Sequence, residues 1–529
     1  MAGSTNKGKL FFASFMTLIA AGIGFGVRNG ILGDWGAQFG FTQAELGAIT
    51  GGGLTGFGVT IIICSIFADR LGYKPILIGA FVLHLLSAVV TLAATPVFAS
   101  MGKTAAYNCL FWGMFLFALG NGLCEAVINP LVATLYSNKK THYLNILHAG
   151  WPAGLILGGL ISYCFVGEKA AITTWRWEYN LGLFLVPVLL YGLLVFPSRF
   201  PESEAKTAGI KFGTSLRQFA SPILLSLLVL HALVGYVELG TDSWITNIMN
   251  NVIVGKAILL FIYTSALMFI LRFFAGPIVE RINPIGLLFA GACLGCTGLY
   301  LLGTATTVGL AFLAATIYGC GKTFLWPTML GVVGERFPKG GALTMGTMGG
   351  IGMLSAGLLG TPGIGYNQDL YASRKLAEEN KATYERYKSD DQNSFLFFPA
   401  ISGLNGSKVG VVTDEKGPGV TLDADYALLT KENRLDPNTK KLMEWWESAK
   451  AFVMARPKGP DVPAEPIKDD KTYVEDARLF GGRMALKWTA AIPATMAIGY
   501  LILLIYFRIT GGYKALHVRG EEQEAPVEY

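Results

Sequence analysis

The sequence predicts an all-α integral membrane protein: twelve transmembrane helices in two six-helix pseudo-repeats, with a large extracytoplasmic insert between helices 11 and 12. Three observations predict it. Of the 529 residues, 52% are hydrophobic and 15% are charged, against about a quarter charged in a soluble globular domain. Apolar runs long enough for a spanning helix, about 20 residues, recur along the whole chain. Finally, a charged residue framed by glycine and proline appears in both halves at the same spacing: Gly122, Glu125 and Pro130 match Gly319, Lys322 and Pro327.

The first run, Leu10 to Leu32, follows a short polar start and exceeds the roughly 7 to 15 apolar residues of a signal-peptide core. It reads as an uncleaved first span. Spans near 10–33, 43–68, 75–97, 105–136, 144–165 and 178–197 then form an N-terminal half, residues 1–197. A polar linker follows at 198–218, with Pro201, several charges and no apolar run. The C-terminal half, 219–529, carries spans near 219–248, 254–279, 284–304, 307–335, 342–363 and 485–508. The Lys/Arg bias of short loops orients such a bundle. Arg70 to Lys74, Lys139-Lys140, the linker and Arg336 to Lys339 share one side, which is then the cytoplasm, with both termini on it and the chain in a cell membrane.

By the same parity the insert 366–483 lies outside the cytoplasm. The sequence predicts helices there at Asp369 to Tyr387 and Asn438 to Met454, the second bearing Trp445-Trp446. A stretch rich in proline, lysine and aspartate, Arg456 to Lys471, leads to the last span. The insert reads either as a lid or partner-docking cap, its protein partner unknown, or as a decoration with no role in the chemistry.

Several function classes are excluded. Net charge is only +6 and no basic stripe interleaves with aromatics, so nucleic acid is not an expected partner. All seven cysteines fall in apolar segments, and Cys293 and Cys296 have no second pair or histidine nearby; neither a disulfide framework nor a metal site is expected. Phosphate-binding loops, HExxH and soluble nucleophile elbows are absent, so the chain is not expected to be an enzyme and no cofactor is implied.

What remains is the set of polar residues inside the spans, each costly to place in lipid and hence a functional candidate. Glu125 sits at mid-span, where a carboxyl group can gain and lose a proton within a transport cycle; the alternative is a charge locked to Lys322 or Arg28. His148, beside Trp151, has the side chain suited to a proton partner or simply satisfies a hydrogen bond. Arg28 and Asn29 fall in the outer half of the first span. Arg28 there is an anion site if unpaired, or a gate or structural lock if paired with Glu238 or Asp242.

Glu238, Asp242, Trp244 and Asn247 lie along one segment of the seventh span, where acids and amides supply directional hydrogen bonds to hydroxyls and an aromatic face supplies apolar contact. Lys322 neutralises Glu125, contacts an anionic substrate, or reaches the membrane edge. Arg272, just before Gly276 and Glu280-Arg281, reads as a structural lock of helix and loop at the cytoplasmic end. His84 and His231 read as satisfied packing histidines. Gly150, Gly154 and Gly158, every fourth residue, allow close helix approach.

The run from Ser65 through Ala68-Asp69-Arg70-Leu71-Gly72 to Lys74 resembles the signature loop of the major facilitator superfamily, with Ser65 where glycine usually stands. Val279-Glu280-Arg281 echoes it in the second half. A narrower resemblance, to the fucose-galactose-glucose proton symporter branch, rests on Gly120 to Pro130 with Glu125 and Asn129, on Leu144-Asn145 and on the Gly150 to Gly159 run. It rests also on Gly235 to Glu238 with Trp244, and on Trp326-Pro327-Thr328. The further acid of that branch's first helix is replaced here by the Gly26 to Ile31 stretch.

The resemblance implies the superfamily fold and a secondary active transporter of a small polar solute, a monosaccharide, moving with protons by alternating access. It places proton coupling on Glu125, joined by His148. Substrate contacts are expected at Arg28, Asn29, Asn129, Trp151, Glu238, Asp242, Trp244, Lys322 and Trp326, and the gate at Asp69, Arg70, Arg272, Glu280 and Arg281. The alternatives are an organic-anion, sugar-acid or sugar-phosphate carrier using Arg28 and Lys322, and a transport-dead solute sensor or receptor.

Overall fold

Apolar helices dominate the computed structural model, which describes residues 6–39, 41, 43–166, 170–249, 257–414, 417–431, 435, 437–453, 469–518 and 524–526. Eleven helices among the described residues are long and apolar enough to cross a membrane, and a shorter one, Ile258–Arg272, occupies the eighth place. Together they give the twelve spans in the expected order. Side chains such as Leu193, Val186, Leu313 and Ile502 are exposed on the outer helix faces, as a bilayer requires of residues that face lipid.

Several spans are broken near prolines that remove a donor from the hydrogen-bond ladder, the ninth and tenth among them. The long helix Ala275–Thr304 departs from helical geometry at Asn283 (φ 54°, ψ 168°), just before Pro284. Asn283 Oδ1 accepts from Gly286 N at 2.9 Å, so the residue ends one helix and caps the next. The eighth span therefore continues through Ala275 to Ile282 and the ninth starts at Pro284, as the sequence indicated. In the tenth, Val308–Lys322 stops and Leu325–Arg336 begins after Thr323 and Phe324. The fourth span, Lys103–Leu135, runs unbroken through Pro130, so the two halves differ at the matched motif.

Small residues bring spans together. A Cβ on Gly154 would lie 2.5 Å from the Ile19 carbonyl, and Gly22 and Gly154 oppose each other directly, so the fifth span rests on the first. Gly235 faces the Gly352 backbone in the same way, seating the seventh span on the eleventh. Beside that contact lie two π-helical turns, Tyr236–Gly240 and Ala356–Gly360, each adding a residue that re-aims the turns around it.

The insert is less separate than the sequence suggests. The expected helix Asp369 to Tyr387 is instead the outer end of Thr361–Glu379, continuous with the eleventh span, followed by Lys381–Tyr387. The last span likewise begins early, with Asp470–Thr489 preceding Ala491–Ile509. Polar sequence beyond the apolar run hid both extensions; helix continues there because the two pack against each other, Gly481 on the Gln368 and Ala372 backbone. Between them a small cap is built around Leu376, Tyr387, Val412, Trp446 and Val474. The second expected helix is Pro437–Val453; Met454 and most of Arg456 to Lys471 lie outside the described residues.

The halves meet at the linker end. Glu335 of the tenth span accepts from Thr141 N at 3.1 Å, from Thr141 Oγ1 at 2.6 Å and from Tyr513 OH at 2.6 Å. Buried Lys140 donates to Glu204 of the linker at 2.7 Å and to the Gly334 carbonyl at 3.0 Å. Asn145 Nδ2 donates to Thr328 Oγ1 at 3.1 Å. These bonds close the bundle on that side.

Candidate functional site

The unbroken fourth helix determines the first half of the site. Glu125 and Asn129, four residues apart, share one face, and Asn129 Nδ2 donates to Glu125 Oε2 at 2.6 Å. The fifth span brings His148, whose Nε2 donates to Asn129 Oδ1 at 2.8 Å. One amide thus bridges carboxylate and imidazole, using both its donor and its acceptor.

The second half follows from the two helix ends in the other bundle. The eighth span's first segment stops at Arg272, and the break after Lys322 frees the Thr323 carbonyl. Arg272 Nε donates to that carbonyl at 2.9 Å and Nη1 to the His148 carbonyl at 2.5 Å. Its Nη2 lies 3.1 Å from Glu238 Oε1 of the seventh span. All the polar groups so far are buried, and at the cavity Arg272 joins the two bundles. Glu238 Oε2 has no hydrogen-bond partner.

A cavity of about 20 Å³, room for about one water in this closed state, lies among these groups, lined by Glu125, His148, Glu238 and Arg272 and closed by Trp151, Trp326, Leu239 and Met353. Beside it Lys322 Nζ meets Asp242 Oδ1 at 2.5 Å and sits 5.1 Å from the Tyr318 ring. Tyr318 in turn donates to the Val237 carbonyl at 2.8 Å.

Several expectations are corrected. Lys322 does not neutralise Glu125: the tenth span turns it toward the seventh, where Asp242 takes it. Arg272 is no lock at the linker end, because its helix stops one turn before that loop and the guanidinium points into the bundle. Arg28 meets neither Glu238 nor Asp242 and does not line the cavity. It is buried inside the N-terminal half, 4.0 Å from the Phe117 ring and 4.8 Å from the Phe184 ring, and donates to the Gly24 carbonyl at 3.2 Å and to Ser87 Oγ at 3.3 Å. Asn29 is exposed and away from the cavity. Trp244 Nε1 donates to the Thr361 carbonyl at 2.9 Å, tying the seventh span to the eleventh instead of facing the cavity.

His84 is satisfied: its Nε2 donates to Asn121 Oδ1 at 3.0 Å and its Nδ1 accepts from Tyr191 OH at 2.9 Å. His231 is not; neither ring nitrogen has a partner, and its ring packs 4.6 Å from Trp326. At the linker end Asp69 Oδ2 accepts from Ala342 N at 3.1 Å, Arg70 covers the Phe212 ring at 5.2 Å, and Glu280 meets Lys139 at 3.4 Å. Sequence reading missed Glu335 and Thr141 there, and Leu239 and Met353 in the cavity. A buried acid near a span end was the available signal for Glu335; apolar wall residues carried none.

The family model of the Major Facilitator Superfamily matches residues 10–361. The chain belongs to the major facilitator superfamily. It is a multi-pass membrane transporter of that family. Its fold is similar to that of FucP in the outward conformation, with TM-score 0.55 and 19% identity over 68% of this chain and 92% of that one. It is similar too to the proton:xylose symporter XylE, with TM-score 0.57 and 16% identity over 69% and 90%. Among curated proteins, the trichothecene efflux pump TRI12 of Fusarium sporotrichioides is 26% identical over 155 residues, which span 29% of this chain and only 23% of the pump. The halves of this superfamily member enclose the cavity where substrate sites of such folds lie, at the repeat interface.

Proposed function

We propose that this transporter carries a monosaccharide together with protons by alternating access, with Glu125 as the protonation site and His148 as its partner. The observation that supports this reading most is the pairing of charges in the cavity. Glu238 is matched by Arg272 and Asp242 by Lys322, whereas Glu125 forms no ion pair among the described residues and is held by the Asn129 amide. A proton on Glu125 leaves the site neutral, the state in which a charge-free solute can enter a low-dielectric cavity at least cost.

The closed cavity is too small for a pyranose, so the solute enters when the halves part, and a sugar then supplies what the site lacks. Its hydroxyls can donate to the unpartnered Glu238 Oε2, and Trp151 and Trp326 offer flat faces to the apolar side of a pyranose ring. Two proteins of similar fold, a fucose:proton symporter and a proton:xylose symporter, are of this class. The anion-carrier alternative relied on Arg28 and Lys322 converging on one ligand; Arg28 is remote and Lys322 is taken by Asp242. On this reading the chain lies in a cell membrane with its linker side and both termini in the cytoplasm, and the structure is the state closed toward the cytoplasm.

The test is the pH outside lightly buffered proteoliposomes on adding neutral sugars or sugar acids, for the native chain and for Glu125→Gln. Alkalinisation with a neutral sugar, abolished in the variant, is expected. Response to acids alone would establish the anion carrier instead, and silence to every solute would favour a uniporter, another substrate class or the solute sensor.

A further inference from the structure

The cap carries a hairpin that turns back toward the membrane. Its arms pair at Lys388 with Leu404 and at Asn393 with Ile401, the latter with reciprocal backbone bonds of 2.8 and 2.9 Å. Along the eleventh helix the hairpin's contacts descend in order. Ser402 accepts from Ser373 Oγ at 3.2 Å, Gly403 abuts Asp369, Pro399 accepts from Tyr366 OH at 2.9 Å, and Phe395 lies against Gly363. Ten residues of helix separate Ser373 from Gly363, about 15 Å of axial travel from the polar stretch into the apolar one.

At the tip, Phe398 N donates to the Phe395 carbonyl at 2.9 Å, closing a tight turn. Leu396 is held there at φ 51°, a conformation that a branched side chain adopts at a cost of order 1 kcal/mol. Leu396 is 64% and Phe397 86% exposed, while Phe398 stacks on Phe395 and lies 5.8 Å from the Tyr366 ring. The arm leading to them is polar, Asp390-Asp391-Gln392-Asn393-Ser394. Two consecutive bare apolar side chains, Leu396 and Phe397, at the end of a polar arm are unfavourable in water, at about 25 cal/mol per Å².

The eleventh span exposes an apolar side chain below the tip. Leu358, five residues below Gly363 across the π-helical turn, is 55% exposed. It is turned roughly two fifths of a turn from both Gly363 and Met353, the latter lining the internal cavity. Gly357 and Gly360 between them meet the second and seventh spans.

We propose that the Leu396-Phe397-Phe398 turn is inserted into the bilayer, anchoring the cap to the outer boundary of the lipid beside the eleventh span. The aromatic tip is of the kind enriched at membrane interfaces, and its occupant is lipid rather than a protein partner. The anchor couples the cap to the membrane at the point where the eleventh span, through Gly352 and Gly360, packs on the seventh that carries Glu238. It is independent of the solute carried.

The experiment places benzoylphenylalanine, a photoreactive residue, at Phe397 of the full chain in phospholipid vesicles, with Leu358 as the bilayer control and Asp391 as the aqueous control. Irradiation should yield a protein–phospholipid adduct at position 397 in amounts comparable with position 358 and well above 391. Adducts to the chain's own peptides, no lipid adduct at 397, or equal yields at 397 and 391 would each overturn the proposal. Should the Phe397 variant fail to fold, the probe at Leu396 gives the same reading.

Discussion

Arg272 and Glu238 meet at 3.1 Å across the eighth and seventh spans, and the same guanidinium reaches the His148 carbonyl of the opposite bundle at 2.5 Å. One side chain thus ties a buried ion pair of the C-terminal half to the helix that carries the imidazole of the N-terminal half. Any rocking of the halves must stretch or break that contact.

Removing one member of such a pair leaves a buried charge uncompensated, which costs on the order of 3–5 kcal/mol. Arg272→Met alone is therefore expected to lower thermal stability in detergent markedly, and Arg272→Met with Glu238→Gln to recover much of the loss. Melting curves of the single and double variants check this, and a double variant as unstable as the single one would contradict the pairing.

The Asn129 bridge separates coupling from binding. In Asn129→Leu both Glu125 and His148 lose their shared partner, so solute-driven proton uptake should fall at least tenfold, while solute exchange between the two sides, which needs no net proton movement, should fall much less. Parallel measurements of uptake and exchange in vesicles decide it.

Lys322 and Asp242 form a second closed pair at 2.5 Å. Lys322→Ala should be more damaging than Lys322→Ala combined with Asp242→Asn, because the double variant leaves no lone carboxylate in the cavity wall. Solute binding by calorimetry, together with the melting temperature, distinguishes this from the alternative in which Lys322 serves Glu125 and the Asp242 change would bring no rescue.

Glu335 holds the linker end shut through Thr141, with Tyr513 of its own half bracing the carboxylate. Glu335→Ala removes three bonds at once and should shift the population toward the state open on that side. Spin labels at exposed Asn138 and Arg281, on opposite halves, should report a longer and broader distance distribution in the variant; an unchanged distribution would mean that Lys140 and Asn145 suffice.

Much of this was legible in the sequence because lipid imposes a simple rule: each span must satisfy its own backbone and show apolar side chains outward. Run lengths therefore located the twelve spans, and Pro284 marked the start of the ninth. The same rule made Glu125, His148, Glu238 and Arg272 conspicuous, since a polar group there needs a reason. The pattern Glu125-x-x-x-Asn129 even implied a shared helix face.

What the sequence left open was the rotation and termination of each helix. Matched spacing suggested that Lys322 opposes Glu125, yet the break at Thr323 and Phe324 turns Lys322 toward Asp242 and frees the carbonyl that draws in Arg272. Arg28 was expected at the solute and is instead sandwiched between Phe117 and Phe184, because the first span packs that face into its own half. Composition and periodicity, set by the solvent a helix must face, determined the fold and the roster of buried polar residues. Only the tertiary structure decided their partners, because pairing depends on helix rotation and on where helices break, and those are set by packing between distant segments.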